Sequence, residues 1–187
     1  MRLFIGIELS GTAQEEILGI RERLVETITR QGVRFVRPEK LHLTLAFLGQ
    51  VEVSDLDGLI RAIDQLGPTQ AGIHLRVTGL GCFPDARRPK VIWVGVEGDV
   101  QNLATQVVEA AKPFALELDE KPFSAHITLA RISPGSKEVG RAIGHIALEP
   151  TVGEFTATEF CLCHSKQDGT YEVLHRVRLK TAAFADE

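Results

Sequence analysis

HLTLAFLG at residues 42–49 and HITLARIS at residues 126–133 decide how this chain is read. Both spell His-x-Thr-Leu-Ala. Strand side chains alternate between faces. His42, Thr44 and Ala46 therefore share one face, and Leu43, Leu45 and Phe47 the other. In the second stretch His126, Thr128 and Ala130 lie opposite Ile127 and Leu129. The aliphatic face, Phe47 included, is read as core, and the His/Thr face as polar surface. A lone histidine in an aliphatic strand is usually a hydrogen-bonded packing residue. Two at the same offset in matching segments point to one shared site.

Outward from these strands the same order of elements recurs. Residues 2–9 look like a strand. Thr12 with Glu15 spells a capping box for a helix carrying Ile17, Ile20, Leu24 and Ile28, ending near Gly32. Residues 34–37 are extended up to Pro38. A second helix opens at Ser54 and Asp57 and stops at Gly67-Pro68, and residues 72–82 are extended. The second half repeats the plan. Residues 90–97 form a strand in which Trp93 reads as a packing residue. Residues 99–112 form a helix, stopped by Pro113. After the second motif come a helix at 136–147, an extended segment at 152–165, a turn at Asp168-Gly169 and a strand at 170–180. The chain is thus read as one domain, residues 1–187, internally duplicated with halves of approximately 1–85 and 88–187. Such units usually pack about an approximate two-fold axis, bringing the two motif strands face to face.

A chain of 187 residues, 44% hydrophobic and 25% charged, buries a sizeable core without staples. The net charge of −4 gives no global field for long nucleic acid, so such a partner would be met by a local basic patch. Three cysteines without a framework argue against disulfides and for a reducing compartment. Cys161-x-Cys163-His164 lacks the second ligand pair a zinc site needs, and buried strand cysteines are the better account. The opening MRLFIGIEL has too short an apolar run for a signal peptide, and no stretch is long enough to span a membrane. The protein is expected to be cytoplasmic, monomeric and free of membrane.

Two His/Thr faces around one small group would suit a phosphate. Unperturbed imidazoles, with a pKa of about 6.5, accept and donate protons near neutral pH. One would take a proton from attacking water and the other give one to the leaving oxygen. Threonine hydroxyls would donate to the remaining oxygens. The scheme calls for no metal and no cofactor.

The pair His42-Leu43-Thr44-Leu45 and His126-Ile127-Thr128-Leu129 resembles the paired His-x-Thr-x motifs of the two-histidine (2H) phosphoesterases. With the opening RLFIGIEL, the nearest resemblance over almost the whole chain is to the RNA 2′,3′-cyclic phosphodiesterases, also called 2′-5′ RNA ligases. That resemblance implies a bilobal α+β fold. Its two pseudo-symmetric lobes would each be an antiparallel sheet with outer helices, around a central cleft. It implies hydrolysis of a 2′,3′-cyclic phosphate, at an RNA 3′ end or on a nucleotide, to a 2′-phosphomonoester. It gives His42 the role of proton donor and His126 that of proton acceptor, with Thr44 and Thr128 on the phosphate. A reverse, end-joining reaction is secondary. Arg131 matches a position often basic in the family. Plain alternation puts it on the face opposite His126, so it reaches the phosphate only if the strand twists or bulges.

Arg34, Arg37 and Lys40 lead into the first motif, and Arg87, Arg88 and Lys90 lie in a loop. They suit either a basic rim for RNA or a solvated surface. Two other functions compete: a 2H phosphodiesterase acting on another cyclic phosphate or a 2′-5′ oligonucleotide, and a non-catalytic RNA or nucleotide binding module. A binding module would keep its affinity when either histidine becomes alanine, whereas an enzyme would lose turnover.

Overall fold

The structure is a computed structural model that describes residues 1–9, 11–28, 32–116, 118, 122–133, 139, 153–167 and 170–180. The predicted helix at 136–147, with His145 and apart from Val139, and the turn at Asp168-Gly169 lie outside these residues. Nine described strands form one antiparallel sheet: β1 (Arg2–Glu8), β2 (Val33–Phe35), β3 (His42–Gln50), β4 (Ile73–Phe83), β5 (Val91–Glu97), β6 (His126–Ile132), β7 (Gly153–Ala157), β8 (Glu159–Ser165) and β9 (Tyr171–Arg178). The described helices are α1 (Thr12–Thr27), α2 (Leu56–Asp64) and α3 (Val100–Ala111). None is long and apolar enough to cross a membrane.

Across the sheet the order is β7-β4-β5-β6-β3-β1-β8-β9, with β2 also paired to β6. The centre is the junction of the two motif strands, where Leu43 of β3 pairs with Ile127 of β6. Along this path four strands lie on each side of it, and β2 is the ninth, off the path beside β6. This is the expected α+β arrangement of two antiparallel sheet halves with helices outside. Chain order does not respect the halves. β4 comes early in the chain but lies beside β5, and β8 and β9 come last but return to β1. The segment read as one extended run at 152–165 breaks at Thr158. Its first part, β7, pairs with β4, and its second, β8, pairs with β1.

One face of the sheet holds the core. Leu3, Ile5 and Ile7 of β1, Leu43 and Leu45 of β3, and Ile127 and Leu129 of β6 are at most 3% exposed. They form one cluster with Ile17, Ile20 and Leu24 of α1 and Leu103 and Val107 of α3. Each side chain buried in this way contributes about 1.5–3 kcal/mol. The capping box does not form. Gly11, at φ 63°, precedes α1 with no side-chain cap, so Thr12 already lies in the first turn.

The other face carries the motifs, and two matched bulges shape it. Along β1, Gly6 pairs with Thr44 and Ile5 with Ala46, passing over Leu45. Along β5, Trp93 pairs with Thr128 and Ile92 with Ala130, passing over Leu129. A bulge inserts one residue and reverses the alternation beyond it. Residues 42–48 and 126–132 consequently share one burial pattern. Phe47 pairs with Phe4 and Arg131 with Val91, which puts both on the histidine face. Phe47 is 47% exposed, not core as strand parity suggested.

Candidate active site

Both histidines are built alike. The ring Nδ1 of His42 lies 2.7 Å from the carbonyl of Lys40, and that of His126 lies 2.7 Å from the carbonyl of Ser124. A carbonyl only accepts, so Nδ1 carries the hydrogen and donates. The lone pair of each neutral ring is then on Nε2, which is the atom left to exchange protons. Both rings, with Thr44 and Thr128, are half-buried on the same face. Neither threonine hydroxyl has a hydrogen-bond partner among the described residues.

The walls are aromatic. Phe4 stacks on His42 with ring centroids 4.8 Å apart, and Tyr171 meets His42 edge-on at 5.3 Å. Gly6 leaves space beneath this ring, since a Cβ there would stand 3.5 Å from His42 Cδ2 and 2.9 Å from the Leu43 carbonyl oxygen. On the other side Phe83 meets His126 edge-on at 4.9 Å, and Trp93 lies 6.1 Å from it. Trp93 is therefore part of the site wall, not only a packing residue. Its cross-strand pairing with Thr128 is the signal, and it becomes readable only once the register is known. Phe4, Tyr171 and Phe83 escaped the sequence reading for the same reason.

Electrostatics are shared between the two centres. Burial is the main force holding the His42 pKa below its usual value; the Lys40 carbonyl pulls it back up, as does Glu8, while the charges of Arg131 and His126 lower it further. His126 is also lowered, first by burial and then by Arg131, against the pull of the Ser124 carbonyl. Arg131 thus acts on both rings from the face to which the bulge returned it. Arg34 is the direct cross-strand partner of Arg131 and rises from the same face. Arg37 is exposed ahead of the short turn at Pro38–Lys40. Lys40 enters the site through its carbonyl.

One asymmetry separates the two centres. The residue across from His42 is Glu8, and the residue across from His126 is Gly95. Glu8 also belongs to a trio with Glu159 and Cys161 whose donor atoms lie within 4.8 Å of one another, close enough to suggest a cation. Arg176 fills that role. Its guanidinium lies 2.7 Å from Glu8, 2.6 Å from Glu159 and 3.3 Å from the Cys161 sulfur. Burial pushes the Cys161 thiol up to about 12, far from the thiolate a metal prefers. The donor set therefore does not fit a metal. Cys161 and Cys163 are separated by strand parity from His164, so these three make no zinc site.

The other described histidines stand apart: His74 faces Glu154 at 3.3 Å, and His175 faces Asp64 at 2.7 Å.

The antiparallel sheet thus presents on one face two tied histidines and two threonines whose hydroxyls have no partner among the described residues, the arrangement expected of paired His-x-Thr motifs. Residues 7–93 match the family described as LigT like phosphoesterase. An RNA 2′,3′-cyclic phosphodiesterase of Archaeoglobus fulgidus is 32% identical over 88% of this chain and 91% of its own length. One of Aquifex aeolicus is 31% identical over 71% of both chains. Among solved structures, a Thermus thermophilus protein superposes with a TM-score of 0.77 at 27% identity, covering 96% of this chain and 98% of its own. E. coli LigT complexed with 3′-AMP does so with a TM-score of 0.71 at 27% identity, over 95% of this chain and 97% of its own. The chain belongs to the LigT-like phosphoesterase family.

Proposed function

We propose that this protein hydrolyses 2′,3′-cyclic phosphate, at RNA ends or on nucleotides, to a 2′-phosphomonoester. Water attacks phosphorus in line with the bond to O3′. His126, neutral, takes the proton of that water at Nε2. His42, protonated, gives its Nε2 proton to O3′ as that bond breaks. Thr44, Thr128 and Arg131 hold the non-bridging oxygens, where charge accumulates in the transition state. Joining ends through a 2′-5′ linkage would use the same groups in the same roles, with a 5′-hydroxyl attacking in place of water and O3′ again leaving. Cleavage of that linkage by the 3′-hydroxyl would exchange the roles.

The observation that carries this reading is the doubled geometry. Both rings are fixed by an Nδ1–H bond to the carbonyl two residues before, on one face, with Thr two residues after. The relatives' names supply the substrate class. The asymmetry supports the division of labour. A carboxylate across from His42 favours its imidazolium, the form a proton donor needs, and glycine across from His126 gives no such help. Phe47, an exposed ring on the same face beside Phe4, offers the base of the terminal nucleotide a surface for stacking.

The test is a product analysis in EDTA with adenosine 2′,3′-cyclic phosphate. The protein should yield 2′-AMP alone, with turnover indifferent to the chelator. His42→Ala and His126→Ala should each slow it by about 10²–10⁴. Formation of 3′-AMP would overturn the regiochemistry, and loss of rate in EDTA would overturn the metal-free mechanism.

A further inference from the structure

Arg34 and Arg131 face each other directly across β2 and β6. Their side chains rise from the motif face, because β5 pairs Val91 with Arg131 and Trp93 with Thr128 on one parity. Like charges directly opposed on a sheet destabilise it. No carboxylate pairs with either guanidinium among the described residues. This is unusual within a chain whose net charge is −4. Beside them lies a hollow of about 300 Å³, lined by Gly32, Arg34, Arg131 and Ser133 among others. Within its lining the Ser133 amide donates to the Gly32 carbonyl at 2.7 Å.

The two arginines are not equivalent. Arg131 acts on both histidines, and Arg34 acts on neither. Arg131 lies on β6, the strand that carries His126, and Arg34 lies on β2, paired beside it. An anion between the guanidiniums would relieve their repulsion and would be distinct from the phosphate being cleaved. Guanidinium pairs suit phosphate oxygens through their forked donors.

We propose that Arg34 and Arg131 form a second phosphate site, which holds the phosphate on the 5′ side of the terminal nucleotide. This rests on the function proposed above and makes the substrate more specific. The protein prefers an end carrying two phosphates, one cyclic and one on the 5′ oxygen of the same ribose, over a nucleoside cyclic phosphate alone. Arg131 serves both phosphates, and Arg34 serves only the second.

Three substrates test this, compared by kcat/KM: adenosine 2′,3′-cyclic phosphate, its 5′-phosphorylated form, and the dinucleotide ApA with a terminal 2′,3′-cyclic phosphate. The second and third should both be favoured over the first. In Arg34→Gln the ratio of the 5′-phosphorylated to the unphosphorylated substrate should fall about tenfold, the loss of one charge-assisted contact. The salt dependence of kcat/KM on the dinucleotide should weaken, with its log–log slope smaller by about 0.7. Three results would overturn the proposal. The wild type has no preference for a 5′-phosphate; the dinucleotide is favoured but the 5′-phosphorylated monomer is not; or Arg34→Gln slows all three substrates equally. If the wild type turns over none of the three, the function proposed above falls, and this site falls with it. A thermal melt of Arg34→Gln reports separately whether the variant has folded.

Discussion

Gly81→Ala probes the wall of the second histidine. A Cβ at residue 81 would lie 2.3 Å from Cζ2 of Trp93, 2.4 Å from Cη2 and 2.8 Å from Cε2. Carbon atoms in contact sit about 3.5–4.0 Å apart, so the indole must retreat by more than roughly 1 Å. It has little room. Phe83 lies 5.0 Å from it on the site face, and both rings border His126. Overpacking of this kind costs about 1–3 kcal/mol. For a chain of this size that is roughly 2–4 °C of melting temperature per kcal/mol. A displacement of about 1 Å near reacting groups lowers turnover by about 10². The assay is a thermal melt together with kcat on adenosine 2′,3′-cyclic phosphate. Gly81→Ala should lose stability and lose kcat more than KM, because the perturbed wall borders His126, the proposed proton acceptor. Trp93→Leu in the same chain removes the clash. The double variant should therefore be less destabilised than the sum of the two single ones. A Gly81→Ala protein with unchanged melting and kcat would refute the reasoning, since the indole could not then rest on residue 81.

Three further outcomes are expected. Both imidazoles are held below their usual value near 6.5, so the bell of kcat/KM for the free protein lies on the acid side of that value. Glu8→Gln removes a charge that raises His42, so its alkaline limb, set by loss of the His42 proton, should move to lower pH while the acid limb stays. An unmoved alkaline limb would remove Glu8 from the account of His42. Phe47→Ala should raise KM by roughly tenfold with little change in kcat, the scale of one base stacked on one ring. An unaltered KM would show that the base is held elsewhere.

The histidines, the threonines and the strands that carry them were legible because they depend on local pattern. Leu43, Leu45, Ile127 and Leu129 alternate with the polar residues over a few positions, and burial follows that alternation. Legibility ended at the bulge. The extra residue at Leu45 and Leu129 reflects how β1 and β5 pair, not the composition of β3 and β6. Phe47 and Arg131 changed face for that reason, one contrary to the reading of the sequence and one meeting the condition it had set. The aromatic walls were hidden likewise, since Phe4, Phe83 and Tyr171 come to the histidines from distant stretches of chain.

By itself the sequence determined the period of each strand, the aliphatic side that drives burial, and the repetition of His-x-Thr, which demands a shared chemistry. Only the tertiary structure decided which strands are neighbours. Backbone hydrogen bonding along a strand edge is indifferent to chain order. β4 could therefore join β5, and the chain could cross at Thr158 so that β8 and β9 close the half containing β1. That crossing brings Tyr171 and Arg176 to the first histidine's side, and the cross-strand register alone sets Glu8 against His42 and Gly95 against His126. Two nearly identical motifs thereby acquire different surroundings, and so can carry opposite halves of one proton transfer.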